Sequence, residues 1–300
     1  LGEYVLFSFN LTDPFLTSDV PFYLVLGILC GLVSVYFTRV TLYAESLTAR
    51  INNKTARAVA GGLAVGIIIV VFHPIYGEGY ETITAILNGH SSSILENSIF
   101  LANIDKTGLL ILFGLGVLLI KPLATGLTIG AGGNGGIFAP SLFVGGLTGY
   151  LFSQSYNLLN FSKTLSISNF TLVGMCGVMS GVLHAPLTAI FLIAEITSGY
   201  TLFLPLMLVS AIALSTNSRF EKHSFYAGKL IKAGDLIPYD KDRQVLSLIS
   251  IEKMIEKDLL QIHPDKTLGD LTALVRKSKR TSWSLELIKK FAGFGSVCTN

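Results

Sequence analysis

The stretch that decides the reading of this chain is Gly130-Ala131-Gly132-Gly133-Asn134-Gly135-Gly136-Ile137-Phe138-Ala139-Pro140-Ser141-Leu142-Phe143. Five glycines and an asparagine lead directly into an apolar helix start. A turn of this kind leaves backbone N–H groups without intrahelical partners, and the helix dipole adds partial positive charge at the same point. The combination makes an anion site without a formal cation. Neutral dipoles hold a halide firmly enough to strip its water and loosely enough to release it.

The surroundings of this stretch are apolar. From Gly108 to Ala194 there is no Asp or Glu, and only Lys121 and Lys163 are basic. Mean hydropathy is +0.62, with 51% hydrophobic and 14% charged residues, where a soluble domain carries about 25% charged residues. Phe22 to Ala44 and Leu109 to Ile129 reach the length of a membrane span, about 18 apolar residues. Ala58 to Phe72 is a shorter glycine-rich run, and Phe170 to Ile196 is broken by Pro186. Ile137 to Phe152 and Leu202 to Leu214 are too short to cross unaided. Short segments interrupted by Gly and Pro predict helices that stop inside the membrane, tolerated only in buried protein or along a cavity. Arg50, Lys54 and Arg57 predict a cytoplasmic loop, the acidic segment from His73 to Thr107 an outer one, and Arg219, Lys222, Lys229 and Lys232 a return to the cytoplasm. After Arg219 the texture becomes that of a soluble domain, with the boundary near residues 219–245.

Beyond the physical signal, Gly136-Ile137-Phe138-Ala139-Pro140 resembles the GxFxP signature of CLC chloride channels and chloride/proton antiporters. Gly174-Met175-Cys176-Gly177, Ala185-Pro186-Leu187-Thr188, Glu195-Ile196-Thr197, Tyr200 and Ser224-Phe225-Tyr226 follow in the family's order, so the likeness spans Pro21 to Leu230. The resemblance implies an all-α polytopic membrane domain over residues 1–230, built as the second of two inverted repeats with re-entrant broken helices. It implies chloride bound by backbone amides of Gly136, Ile137 and Phe138, the last two above all, and by the Tyr226 hydroxyl. It also implies transport of chloride, with protons in an antiporter, and a homodimer whose contact helices include Leu26–Ala44 and those around Ala189–Ile196 and Leu204–Ala213. The family's GSGxP segment, its G[KR]EGP gating glutamate and its inner proton glutamate lie outside these 300 residues; since the chain opens without Met or a signal peptide, a partial membrane domain is expected. Channel and antiporter both stay open.

Lys121 reads either as a positive potential favouring anions near the inner vestibule, or as a structural side chain that snorkels towards the interface or pairs with Glu195. Glu195 reads as a cap or ion-pair partner where its helix ends. Other chemistries are weaker. Gly130, Gly132 and Gly135 satisfy GxGxxG, but dinucleotide binding needs an acidic residue about 20 positions on, and the next is Glu195. Ser180 and His184 have no acidic residue near them to complete a hydrolase, so no enzyme is expected. The three cysteines lack metal-ligand spacing; no metal or cofactor is expected. A net charge of +3 favours no class of partner, and no nucleic-acid partner is expected. The alternative function is another secondary transporter carrying a small anionic substrate.

Residues 231–245 read as a linker and 246–300 as a partial α/β domain. Ser250 to Leu271 resembles the opening of a CBS domain: a short helix, an extended apolar segment, then a helix capped by Asp265 or Thr267, with Asp270 completing a capping box. After Lys277 the likeness fades and no further strand is expected; a single truncated copy is not expected to bind adenine nucleotide. The tail should lie in the cytoplasm.

Overall fold

The computed structural model describes residues 15–89, 107–159, 163–197, 200–233, 261–262, 266–277 and 284–285. The described helices of the first part are α1 (Val20–Ala49), α2 (Lys54–Val71), α3 (Tyr80–Leu87), α4 (Thr107–Gly130), α5 (Phe138–Leu158), α6 (Ile167–Leu183), α7 (Pro186–Ile196), α8 (Phe203–Ser218) and α9 (Phe225–Ala233). The chain forms two compact units, Leu1–Ala233 and Gly234–Asn300.

Among the described residues, three helices can by length and composition cross a membrane: Thr17–Ala49, Lys54–Val71 and Gly108–Gly130. Helix α7, at 11 residues, rises only about 16 Å, half of a hydrocarbon core of about 30 Å. The break before it falls where Pro186 predicts. Pro186 opens α7, and His184 closes α6 in the left-handed region, φ 54°. Here Asn217 ties three helices together. Its Oδ1 pairs with His184 Nε2 at 2.9 Å, its Nδ2 donates to Ser34 Oγ at 2.7 Å, and Ser34 donates to the Gly31 carbonyl at 2.6 Å. Buried polar groups need partners in such an apolar interior, and this relay supplies them. Ser180, one turn from His184, donates instead to the Ser210 carbonyl at 3.0 Å, so the two form no nucleophile–base pair.

Two expectations are corrected. Helix α5 is longer than the apolar run suggested, reaching Leu158 through Ser153, Gln154 and Ser155. Those polar residues interrupt the apolar count without breaking the helix, because Ser153 bonds back to the Gly149 and Tyr150 carbonyls. The acidic segment after His73 contains a helix, α3, whose Ile83, Ile86 and Leu87 are buried. One face of α1 packs into the core of the bundle, while Leu24, Val25, Ile28 and Leu32 on the same helix are exposed. Leu26, Cys30, Phe37 and Ala44 are fully buried, against α4, α6 and α8.

Contacts between helices are made by small residues that let backbones meet, the usual solution where lipid removes the hydrophobic drive. A Cβ placed on Gly149 would stand 1.9 Å from the Phe170 carbonyl oxygen, and one on Gly174 2.4 Å from that of Gly145. Helices α5 and α6 are thus packed main chain to main chain. Cys30 and Cys176 are buried free thiols in the same core.

In the second unit, β1 (Gln261–Ile262), α10 (Leu268–Lys277) and β2 (Ser284–Leu285) form a small parallel β-α-β arrangement, with Gln261 opposite Ser284. The strand at Ser284 corrects the expectation of none after Lys277; two residues are too short to leave an alternating signature. At the start of α10, the Thr267 N–H and hydroxyl donate to Asp270 Oδ2 at 3.1 and 2.9 Å, the returning half of a capping box. These two bonds hold the Asp270 carboxyl below its ordinary range. The preceding segment, Ser250 to Ile255 and His263 to Asp265, lies outside the described residues.

Gly149→Ala should lower the melting midpoint of the full-length protein in detergent, at a cost of about 1–3 kcal/mol, because the blocking atoms are backbone and cannot swing aside. Gly66→Ala, with nothing within 4 Å of its added carbon, serves as the neutral control.

Candidate anion site

The glycine-rich turn is positioned from both ends. Helix α4 closes in a Schellman motif: Gly132 takes φ +96°, its N–H reaches the Ile129 carbonyl at 3.1 Å, and the Gly133 N–H reaches that of Thr128 at 2.9 Å. Only glycine adopts that backbone without cost. The chain then runs without regular structure to Ile137, which begins α5 with no side-chain cap. Among the described residues no carbonyl or side chain accepts the N–H groups of Gly136, Ile137 or Phe138. Pro140 sits in the first turn, where its missing N–H is no loss. Helix α5 therefore presents bare donors and the positive end of its dipole.

Gly136 and Phe138 line a cavity of about 550 Å³ together with Asn134, Gly135, Lys121 and Glu78, whereas Ile137 is not among its lining residues. The Ile137 side chain points away from it, 1% exposed in the core, so this residue can offer the site only its backbone. Phe138 is 39% exposed.

Lys121 follows neither sequence reading in full. It is buried, and its Nζ donates to the Ile75 carbonyl at 2.8 Å and the Gly77 carbonyl at 2.9 Å. It also stands 4.9 Å from the centre of the Phe143 ring. The amine thus fastens the turn before α3 onto α4 and α5, and its charge lies in the cavity wall. It does not snorkel, and it does not pair with Glu195, which is exposed at the end of α7 and has no ion pair among the described residues. The loop carbonyls that hold Lys121 carry no sequence signal, since any residue supplies them.

Tyr226 lies in the first turn of α9, 51% exposed, with no hydrogen bond from its hydroxyl among the described residues. It is not among the residues lining the cavity. The structure thus brings Gly136, Phe138 and Lys121 to one cavity, while Ile137 and Tyr226 are not among the residues that line it. Glu78, in the cavity wall, was missed by the sequence reading because nothing in its loop sets it apart from Glu81.

Residues 1–218 match the voltage gated chloride channel family. The chain belongs to that family. Among its chloride channel relatives, the chloride channel protein CLC-e of Arabidopsis thaliana is 32% identical over 213 residues, covering 66% of this chain and 28% of that one. The H(+)/Cl(-) exchange transporter ClcA of Vibrio campbellii is 30% identical over 193 residues, 63% of this chain and 37% of that one. The chain therefore spans about a quarter to two-fifths of the length of these curated relatives. A slow cyanobacterial Cl-/H+ antiporter superposes with a TM-score of 0.60 at 22% identity, covering 76% of this chain and 50% of that structure; it shares the fold. Membership of the chloride channel family makes this an integral membrane chain, in keeping with its three apolar spans.

Lys121→Met keeps the apolar stem and strands the Ile75 and Gly77 carbonyls, which should cost about 1–3 kcal/mol in detergent unfolding. Glu195→Gln should leave the midpoint unchanged; an equal loss in both variants would restore the ion-pair reading.

Proposed function

We propose that this chain forms one wall of a chloride pathway, with the ion held by the N–H groups of Ile137 and Phe138, assisted by Gly136, and by the Tyr226 hydroxyl. The observation that carries this reading is the bare start of α5: among the described residues the N–H groups of Gly136, Ile137 and Phe138 have no protein acceptor, and Gly136 and Phe138 line a cavity, in a stretch free of carboxylates from Gly108 to Ala194. An uncapped helix start in a chain that lies in a bilayer leaves donors that lipid cannot satisfy, and these donors suit an anion. Lys121 supplies a positive potential in the wall while two of its donors are spent on carbonyls, so the charge attracts the ion without gripping it. The relatives' names support chloride as the ion and leave channel and proton-coupled exchange as two modes of one architecture.

The whole protein is read as a homodimer. Leu187 and Phe191 on α7 and Leu204 and Met207 on α8 are large, apolar and about half or more exposed, and the two helices pack together. Residues 234–300 are read as a cytoplasmic unit of partial CBS type, on the basic cluster Arg219, Lys222, Lys229 and Lys232 ahead of it and on the β-α-β arrangement within it.

In crystals of the full-length protein soaked in bromide, an anomalous peak should appear beside the N–H groups of Ile137 and Phe138. A peak elsewhere, or none, overturns the site. In calorimetric titration, Tyr226→Phe should weaken halide affinity about tenfold or more, the value of one hydrogen bond to a charged group; an unchanged isotherm removes Tyr226 from the site.

A further inference from the structure

Helix α9 carries Tyr226, and one residue of α1 holds that helix. Lys229 lies three positions after Tyr226, on the same side of α9 one turn on. Its Nζ meets Glu45 Oε1 at 2.6 Å and stands 5.5 Å from the centre of the Phe225 ring. Phe225 is 2% exposed, so the ammonium is gripped between a carboxylate and an anchored aromatic ring. Among the described residues the other carboxylate oxygen of Glu45 is enclosed and has no partner; the side chain's bonding goes to Lys229. The backbone of Glu45 meets the other part of the proposed site. A Cβ on Gly130 would lie 2.8 Å from Glu45 Cα and 3.0 Å from its carbonyl oxygen, so α1 and α4 touch main chain to main chain where the glycine-rich turn departs.

We propose that Glu45 and Lys229 are positioning residues for the anion site: from one point on α1, Glu45 fixes the departure of the Gly130–Gly136 turn through its backbone and the seating of the Tyr226 helix through its ion pair with Lys229. This rests on the reading of Tyr226 as a halide ligand. The pair's side chains are 24% and 35% exposed. Ion pairs so open to solvent contribute little to stability, so the effect is on the placement of the hydroxyl. The second ion pair from α1, Arg39 to Glu221 at 2.7 Å, is weaker as a strut because the Arg39 side chain is 61% exposed and Glu221 precedes α9. A 2.6 Å contact between Glu45, near the end of α1, and Lys229 gives the Tyr226 helix a fixed reference on a helix whose inner face is packed in the bundle.

The test is a double-mutant cycle read as halide affinity on the full-length protein in detergent. Glu45→Gln and Lys229→Met should each weaken chloride binding about three- to tenfold, with the size-exclusion profile unchanged. In the Tyr226→Phe background, Glu45→Gln should add less than about twofold, since the group it positions is gone. Exchanging the charges, Glu45→Lys with Lys229→Glu, should return affinity to within about twofold of the parent. If Glu45→Gln weakens binding equally in both backgrounds, or not at all, or if the exchange fails to rescue, the positioning role is overturned while Tyr226 keeps its role. If Tyr226→Phe alone leaves affinity unchanged, the ligand reading falls and this inference with it.

Discussion

Helix α5 is held by contact of its main chain with that of α6, and the chemistry proposed for its first turn requires that grip. Gly145, Gly149 and Gly174 carry no side chain at the contact, so carbonyl and Cα atoms of the two helices touch there. In a bilayer, lipid tails are as apolar as the helices themselves, and only close packing and polar contacts separate a bound helix from a loose one. A helix seated by backbone contact cannot slide without opening a void. Its bare N–H groups therefore stay aimed at one place, and preorganised dipoles are the only kind that bind an ion without reorganising around it.

The rest of the first unit reads as support for that placement. The Schellman end of α4 delivers the chain to the glycine-rich turn in a defined direction, and Lys121 draws the turn before α3 against the same wall. On the opposite side, the His184–Asn217–Ser34 relay fastens the break between α6 and α7 to α8 and α1. Each device satisfies polar groups that would otherwise stand unpaired in an apolar interior. The start of α5 differs, because its donors are left over among the described residues. That contrast is the reason to look for an ion there.

The positive charges in this unit are used sparingly. Lys121 spends its donors on carbonyls, Lys229 on Glu45, and Lys163 on Asp19 and Ser18. None is left as a bare cation at the start of α5. A full charge there would hold an anion too tightly for transport, whereas dipoles of main-chain amides permit both entry and exit.

Much of the architecture was legible in the residues alone. Glycines packed ahead of an apolar helix, proline at the head of α7 and the absence of carboxylates from Gly108 to Ala194 are local properties, and a local property survives in a linear string. The helix starting at Phe138, the break at Pro186 and the Thr267–Asp270 cap follow from them. Tertiary structure alone decided the partners of Lys121, the packing of one face of α1 into the core and the meeting of Glu45 with Lys229. Those depend on which backbone carbonyl or distant helix lies within about 3 Å, and residues 184 positions apart, as Glu45 and Lys229 are, leave no trace of one another in sequence order. The reach of α5 to Leu158 and the strand at Ser284 belong with them: contacts stabilise both where the local pattern of apolar residues is silent.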